Sequence, residues 1–151
     1  MVIGVDASAP LIERADLAMG EVARVLKHPG RWVFSLPHPC FDKVGTSEWD
    51  IEQIYPTTTI WRKMSHYREM TVAEVPWLRV SDQVVHTHAY HRPLSWYIRT
   101  LHACGLAVTA FEEPEPTEEF LAASPQGPWI AEIPVHCVIE ACKVTRGAIP
   151  D

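Results

Sequence analysis

The sequence has little that would direct the chain to a membrane or to nucleic acid. It contains no run of about 18 apolar residues, which a membrane-spanning helix needs, and no leader made of a basic segment and an apolar core. Basic residues are also scarce: 13 lysines and arginines face 19 aspartates and glutamates. A nucleic-acid-binding protein needs a basic surface to displace counterions from phosphates. We therefore expect a cytoplasmic protein with neither a membrane nor a nucleic acid as partner.

Cysteines are few and lack the CxxC spacing of redox and metal motifs. A chain of 151 residues that is 47% hydrophobic can form a stable core without disulfides. The length suits one domain with one core, so we interpret residues 1–151 as a single domain. We expect four reduced thiols that pack as small apolar side chains: Cys40, Cys104, Cys137 and Cys142.

Hydrophobic periodicity and turn residues predict alternating strands and helices in most of the chain. Residues 31–36 include Trp32, Val33, Phe34 and Leu36, so apolar and polar residues hardly alternate. This pattern predicts a strand that is covered on both faces. The predicted elements are a strand at Val2–Asp6, a helix at Pro10–Lys27, a strand at Arg31–Leu36, a helix at Leu94–Cys104 between Pro93 and Gly105, a strand at Leu106–Phe111, a short helix at Thr117–Ala123 and a strand at Pro134–Val144.

The pattern is weaker between about residues 42 and 90. Tryptophans and tyrosines there lie among polar residues. Met70–Trp77 and Gln83–Tyr90 have the composition of two extended segments, joined by a polar turn at Arg79–Asp82. We interpret residues 42–90 as an inserted lid.

Three segments form a specific pattern: EVARVLKHPGRWVFSLPHPCF at Glu21–Phe41, HRPLSWYIRTLHACGLAVTAFEEPEP at His91–Pro116 and IPVHCVIEACKV at Ile133–Val144. They resemble the small-molecule, type 11-like branch of the class I S-adenosylmethionine-dependent methyltransferases. The resemblance implies an α/β fold: an incomplete Rossmann-like sheet, mostly parallel with an antiparallel last strand, plus the lid. It also implies methyl transfer from S-adenosylmethionine to an oxygen, nitrogen or carbon of a small molecule.

The chain departs from this family in what it lacks. The resemblance covers the family's C-terminal half, and the first, third and fourth strands have no counterpart. The family holds its cofactor with a glycine-rich loop, whereas the glycines here are isolated, with Gly4 the only one before Gly20. In LKHPG, Leu26–Gly30, His28 displaces the family's proline by one position. We therefore expect a truncated methyltransferase-like domain.

The resemblance also assigns candidate site residues. GVDAS, Gly4–Ser8, is similar to the family's second-strand ending, which makes Asp6 the ligand of the cofactor ribose and Ser8 a second cofactor-binding candidate. An ordinary Asx turn leading into a helix explains the same residues. His38 and His91 are the candidate catalytic residues, because imidazole titrates near neutral pH and can accept a proton. Each has a structural alternative, a proline-bracketed turn for His38 and a capping role for His91.

Two placements follow from these assignments. Val2–Asp6 is predicted to pair in parallel with Arg31–Leu36 through a right-handed crossover helix, with Pro134–Val144 antiparallel on the other side and Leu106–Phe111 at the outer edge. Asp6, His38 and His91 are then expected at the same end of the sheet.

Two other functions remain open. The absent glycine loop is compatible with a non-catalytic remnant of the fold that binds a ligand or dimerises, and a homodimer could supply contacts that one chain lacks. His86, His88 and His91, together with a carboxylate, suggest a zinc site. A zinc site also needs residues that hold its ligands in place, which a sequence does not show, and we predict no metal.

Overall fold

The computed structural model describes residues 15–80, 83–124 and 127–144. Within these ranges the chain forms four helices and seven strands. In chain order they are α1 (Ala15–Val25), β1 (Arg31–Pro37), β2 (Ser47–Ile54), β3 (Thr57–Met64), β4 (Thr71–Val80), β5 (Gln83–His91), α2 (Leu94–Ala103), β6 (Leu106–Glu112), α3 (Glu118–Ala123), α4 (Gly127–Glu132) and β7 (His136–Lys143). The strand predicted at Val2–Asp6 and the start of the helix predicted at Pro10–Lys27 lie outside the described residues.

A three-stranded sheet in the order β1-β7-β6 forms the centre of the fold. β7 is antiparallel to β1, with Leu36 opposite Cys137, and antiparallel to β6, with Leu106 opposite Lys143. The predicted position of the last strand between the other two is therefore confirmed. β1 and β6 run in the same direction, but β7 separates them, so every strand pair among the described residues is antiparallel. The mostly parallel sheet of the sequence prediction is not found in this part of the chain.

The core lies on one face of this sheet. Side chains from α1, α2 and the three strands pack into one cluster of buried residues: Met19, Ala23, Leu26, Leu36, Leu101, Leu106, Cys137, Ile139 and Ala141. On the opposite face Val33 is 52% exposed. The prediction that β1 is covered on both faces is therefore wrong for the described residues, because both packed helices lie on the face of Leu36.

One contact joins β7 to the end of α1. The Lys143 ammonium donates to the carbonyl oxygens of Ala23 at 2.7 Å and Leu26 at 2.9 Å. The last carbonyls of a helix have no partner within the helix and carry a partial negative charge. Lys143 therefore satisfies two of these acceptors and fixes the helix end against the sheet.

The predicted lid consists of two antiparallel hairpins. The second hairpin, β4–β5, pairs Thr71 with His91 and Val80 with Gln83, and residues 81–82 of the turn predicted at Arg79–Asp82 lie outside the described residues. The first hairpin, β2–β3, pairs Ser47 with Met64 and was not predicted. No described helix is long and apolar enough to cross a membrane.

Candidate functional site

Tyr67, in the turn between β3 and β4, connects three segments at the rim of the sheet. Its phenol oxygen accepts the Leu94 N–H at 2.9 Å and lies 3.8 Å from the Cys40 Sγ. Its carbonyl oxygen accepts a hydrogen bond from the His91 Nε2 at 2.7 Å. Burial raises the pKa of the Tyr67 phenol, so the hydroxyl stays protonated. Tyr67 thus fixes the lid turn to the start of α2 and to the end of β5.

His38 follows β1 and is 3% exposed. The Cys40 N–H donates to its Nδ1 at 3.1 Å, and the Glu113 Oε1 lies 2.9 Å from its Nε2. Because Nδ1 accepts, Nε2 carries the hydrogen that Glu113 accepts. Neither ring nitrogen is left for a substrate. This geometry favours the structural alternative, in which His38 fixes the turn after β1, and its catalytic role stays a prediction.

His91, at the end of β5, is 6% exposed and offers one nitrogen. The Nε2–H donates to the Tyr67 carbonyl oxygen, so the neutral ring has its lone pair on Nδ1, which has no partner among the described residues. Burial lowers the pKa of His91, and the charges of Lys43 and Arg92 lower it further against the opposing effect of the Tyr67 bond. His91 is therefore a neutral imidazole with a fixed tautomer.

The turn after β1 is held to the lid by two basic side chains. Lys43 is 2% exposed, and its ammonium donates to the carbonyl oxygens of His66 and Glu69 in the β3–β4 turn. Arg62 donates to the Phe41 carbonyl at 2.6 Å and to the Asp42 Oδ1 at 3.1 Å. These contacts attach both hairpins to the sheet rim.

A cavity of about 330 Å³ lies between this turn, β1 and the second hairpin. Its apolar wall includes Leu36 and Pro37 of β1 and Ala73 and Ala89, which are cross-strand partners in the hairpin. The volume is within the range of small-molecule sites, which are mostly apolar with few polar groups. The cavity is therefore large enough to accept a small molecule.

The lining of this cavity includes polar atoms that have no hydrogen-bond partner within the described ranges. Among them are the His91 Nδ1 and the phenol of Tyr97. Burial raises the pKa of Tyr97 to about 12, so the phenol remains protonated and can donate. An acceptor nitrogen and a donor hydroxyl are thus both available to a ligand.

The structure separates the histidines of the zinc hypothesis. His86 lies 3.8 Å from Glu74, whereas His91 donates to the Tyr67 carbonyl from the other face of the strand. Within residues 15–80, 83–124 and 127–144, no three His, Cys, Asp or Glu side chains are grouped to hold a metal ion. The described geometry does not support the zinc hypothesis.

Several solved structures resemble this chain, including two that are described as methyltransferases. A Listeria monocytogenes protein classed as an S-adenosylmethionine-dependent methyltransferase matches with a TM-score of 0.64 and 24% identity over 92% of this chain and 56% of that one. An S-adenosylmethionine-dependent methyltransferase from Mesorhizobium loti matches with a TM-score of 0.60 and 21% identity over 85% and 55%. The fold is that of these methyltransferases. The chain spans a little over half of their length, and no family model and no curated protein matches its sequence.

The described residues do not fit the methyltransferase cofactor. Backbone amides in a glycine-rich turn hold such a cofactor, and successive glycines here lie ten or more residues apart in the sequence. Among the described ones, Gly45 and Gly105 have positive φ angles and occupy turns at a hairpin start and after α2. Asp6 and Ser8, the cofactor-binding candidates, lie outside the described residues, so their role and their distance from His38 and His91 stay predictions.

Three residues that hold this site together were not predicted from the sequence. Lys43, Tyr67 and Arg62 act through backbone carbonyls and amides that lie 20 or more positions away in the chain. Every residue has a backbone carbonyl, and nearly every residue has a backbone N–H, so a hydrogen bond to the backbone requires no particular residue type at the partner position. The one available signal was position, because all three lie in the segment interpreted as a lid.

Acidification is expected to weaken the fold through His91. The pKa of His91 is lowered below its ordinary 6.5, so the unfolded chain binds this proton at a higher pH than the folded chain. The contribution of His91 to the free energy of unfolding is therefore fully present above pH 6.5, and it is lost as the pH drops towards the pKa of His91 in the folded chain. Urea unfolding at about pH 7.5 and about pH 5.5 measures the loss.

His91→Gln is the control for this measurement, because glutamine keeps a donor for the Tyr67 carbonyl but does not titrate. The other histidines are the same in both proteins, so the difference between the two losses reports on His91. We expect a smaller loss of stability on acidification in the variant. Equal losses in both proteins would show that His91 is not protected from protonation.

Proposed function

We propose that this chain provides the acceptor-binding part of an S-adenosylmethionine-dependent methyltransferase that acts on a small molecule. The observation that carries the proposal is the cavity of about 330 Å³, which is lined by His91, a residue whose Nδ1 has no partner among the described residues. The two similar structures, both S-adenosylmethionine-dependent methyltransferases by description, support the class of reaction.

The chain's own residues would hold and orient the acceptor. The hairpin walls Ala73 and Ala89 exclude water from it, and the Tyr97 phenol can donate a hydrogen bond to it. His91 Nδ1 would accept the proton of a hydroxyl or amine as it becomes a nucleophile. Because Nε2 is already bonded to Tyr67, the ring cannot rotate without losing that bond. Alignment of the acceptor is the main contribution expected of such a site.

A second function is favoured by a separate observation. Successive glycines lie ten or more residues apart, so the chain has no glycine-rich loop with which to hold the cofactor. A non-catalytic module with the same fold would use the cavity to bind a small molecule without transferring a methyl group. The two functions share the cavity and differ in whether the bound molecule is methylated.

Filling the cavity is expected to abolish ligand binding. Ala73 faces the cavity and its neighbour Val72 points away, 51% exposed. Ala73→Phe places a ring in the ligand volume, and Val72→Phe adds the same ring at the surface. Ligand-observed NMR with a panel of small phenols, amines and carboxylic acids measures binding, and mass spectrometry after addition of S-adenosylmethionine measures methylation.

We expect compounds that bind the wild type and Val72→Phe but not Ala73→Phe. Methylation of a bound compound would establish the enzymatic function, and binding without methylation would favour the non-catalytic module. If Ala73→Phe, shown to be folded by circular dichroism, binds the same compounds as the wild type, the cavity is not the ligand site.

A further inference from the structure

The cavity wall carries more positive than negative charge. Lys43 and Arg92 both line it, and Asp42 is the one acidic lining residue. Asp42 is already paired with the Arg62 guanidinium at 3.1 Å. Two nearby acidic groups lie elsewhere: Glu74 is on the outer face of the hairpin, next to His86, and Glu69 is exposed beside His66. The cations of the cavity therefore have no free carboxylate facing them among the described residues.

Arg92 is the cation with free hydrogen-bond donors. Its Nη1 donates to the His91 carbonyl at 2.9 Å, and its guanidinium lies 5.8 Å from the centre of the Trp96 ring. A guanidinium has five N–H donors in a planar fork that matches a carboxylate. Lys43 differs, because its ammonium is bound to two backbone carbonyls. Arg92 can therefore bind an anionic group while Lys43 contributes charge.

We propose that the cavity selects small organic anions, namely carboxylic acids with a compact apolar body, and that Arg92 binds their carboxylate. This inference rests on the proposed function, since it takes the cavity to be the acceptor site. The apolar wall of Leu36, Pro37 and Ala89 receives the body of the ligand. Arg92 is half-buried and has no carboxylate partner among the described residues, so an anionic ligand would stabilise its partly desolvated charge, whereas a neutral or cationic ligand would not.

The pKa of His91 also reflects the positive charge of Lys43 and Arg92. Lys43 and Arg92 each lower the pKa of His91, after the larger effect of burial. A field that disfavours a proton on the imidazole also disfavours a cationic ligand beside it. Amines in their protonated form are therefore expected to be excluded.

The test compares acids with neutral molecules of the same shape. Calorimetric titration at low salt uses two pairs, 4-hydroxybenzoate with 4-hydroxybenzamide and hexanoate with hexanamide. We expect each acid to bind the wild type at least about tenfold more tightly than its amide, as one charged hydrogen-bonded pair implies. The preference should shrink as salt is added, since screening weakens the attraction.

Arg92→Gln removes the charge and keeps hydrogen-bond donors, and Arg99→Gln is the control on an exposed position of α2. We expect Arg92→Gln to weaken binding of the acids about tenfold or more and to leave the amides nearly unchanged, with no effect of Arg99→Gln. Amides that bind the wild type as tightly as the acids would overturn the anion preference alone. Failure of all four probes to bind would overturn the acceptor cavity as well.

Discussion

Replacing Leu101 with alanine is expected to lower the free energy of unfolding by about 2–5 kcal/mol. Leu101 is fully buried on α2, in the cluster that includes Leu106 of β6 and Ile139 of β7. The substitution removes apolar contacts and leaves a cavity that the surrounding helices and strands fill only in part. Urea unfolding at neutral pH, followed by circular dichroism, measures the shift in midpoint at constant slope.

Ile98→Ala is the matched control for Leu101→Ala. Ile98 lies on the same helix but is 40% exposed, so its truncation removes less buried apolar surface than that of Leu101, which is fully buried. We expect a smaller loss for this control, about 1–1.5 kcal/mol. Equal losses for the two variants would mean that α2 does not pack on the sheet through Leu101.

The sequence was sufficient to predict the packed half of the fold. The apolar residues of α2 recur at helical spacing, and Pro93 and Gly105 flank the helix, with Gly105 at φ 75° after Cys104. Local periodicity and turn residues determine such elements. The antiparallel pairing of β7 with β1 and β6 required the family resemblance, since pairing is not local.

Elements without a strong apolar pattern could not be predicted. The first hairpin, β2–β3, carries charged residues and threonines on its exposed face, and its tip residue Tyr55 is 96% exposed. It is held instead by Arg62, which bonds to the turn after β1 and lies 4.7 Å from the centre of the Trp49 ring. The short helix α4 begins with Gly127 and Pro128, which are typical of loops and turns.

The candidate site was predictable by position more than by chemistry. His38 follows β1 and His91 is the last residue of β5, both at the rim, and they are connected through Cys40 and Tyr67. Their different roles depend on what their nitrogens contact, since both nitrogens of His38 have hydrogen-bond partners and Nδ1 of His91 has none among the described residues. A side chain's partners across the fold are not encoded in its neighbours along the sequence.

Titration of the purified chain with S-adenosylmethionine is expected to show no binding in the micromolar range. Affinity for this cofactor requires backbone donors of a glycine-rich turn together with an acidic ribose ligand. The chain has no such turn, and Asp6 is its one candidate for the acid. One carboxylate contributes about 1.5–3 kcal/mol of charged hydrogen bonding, whereas micromolar affinity requires about 8 kcal/mol.

Isothermal calorimetry with the wild type, Asp6→Ala and Asp50→Ala tests this expectation. Asp50 forms an exposed ion pair with Lys63 in the first hairpin, away from the predicted cofactor site, and controls for loss of one negative charge. A dissociation constant in the low micromolar range that Asp6→Ala abolishes and Asp50→Ala preserves would contradict the prediction. That result would place the cofactor on residues 1–14 and give the enzymatic function priority. Absence of binding, together with small-molecule binding in the cavity, would favour the non-catalytic module, because methyl transfer cannot occur without its donor.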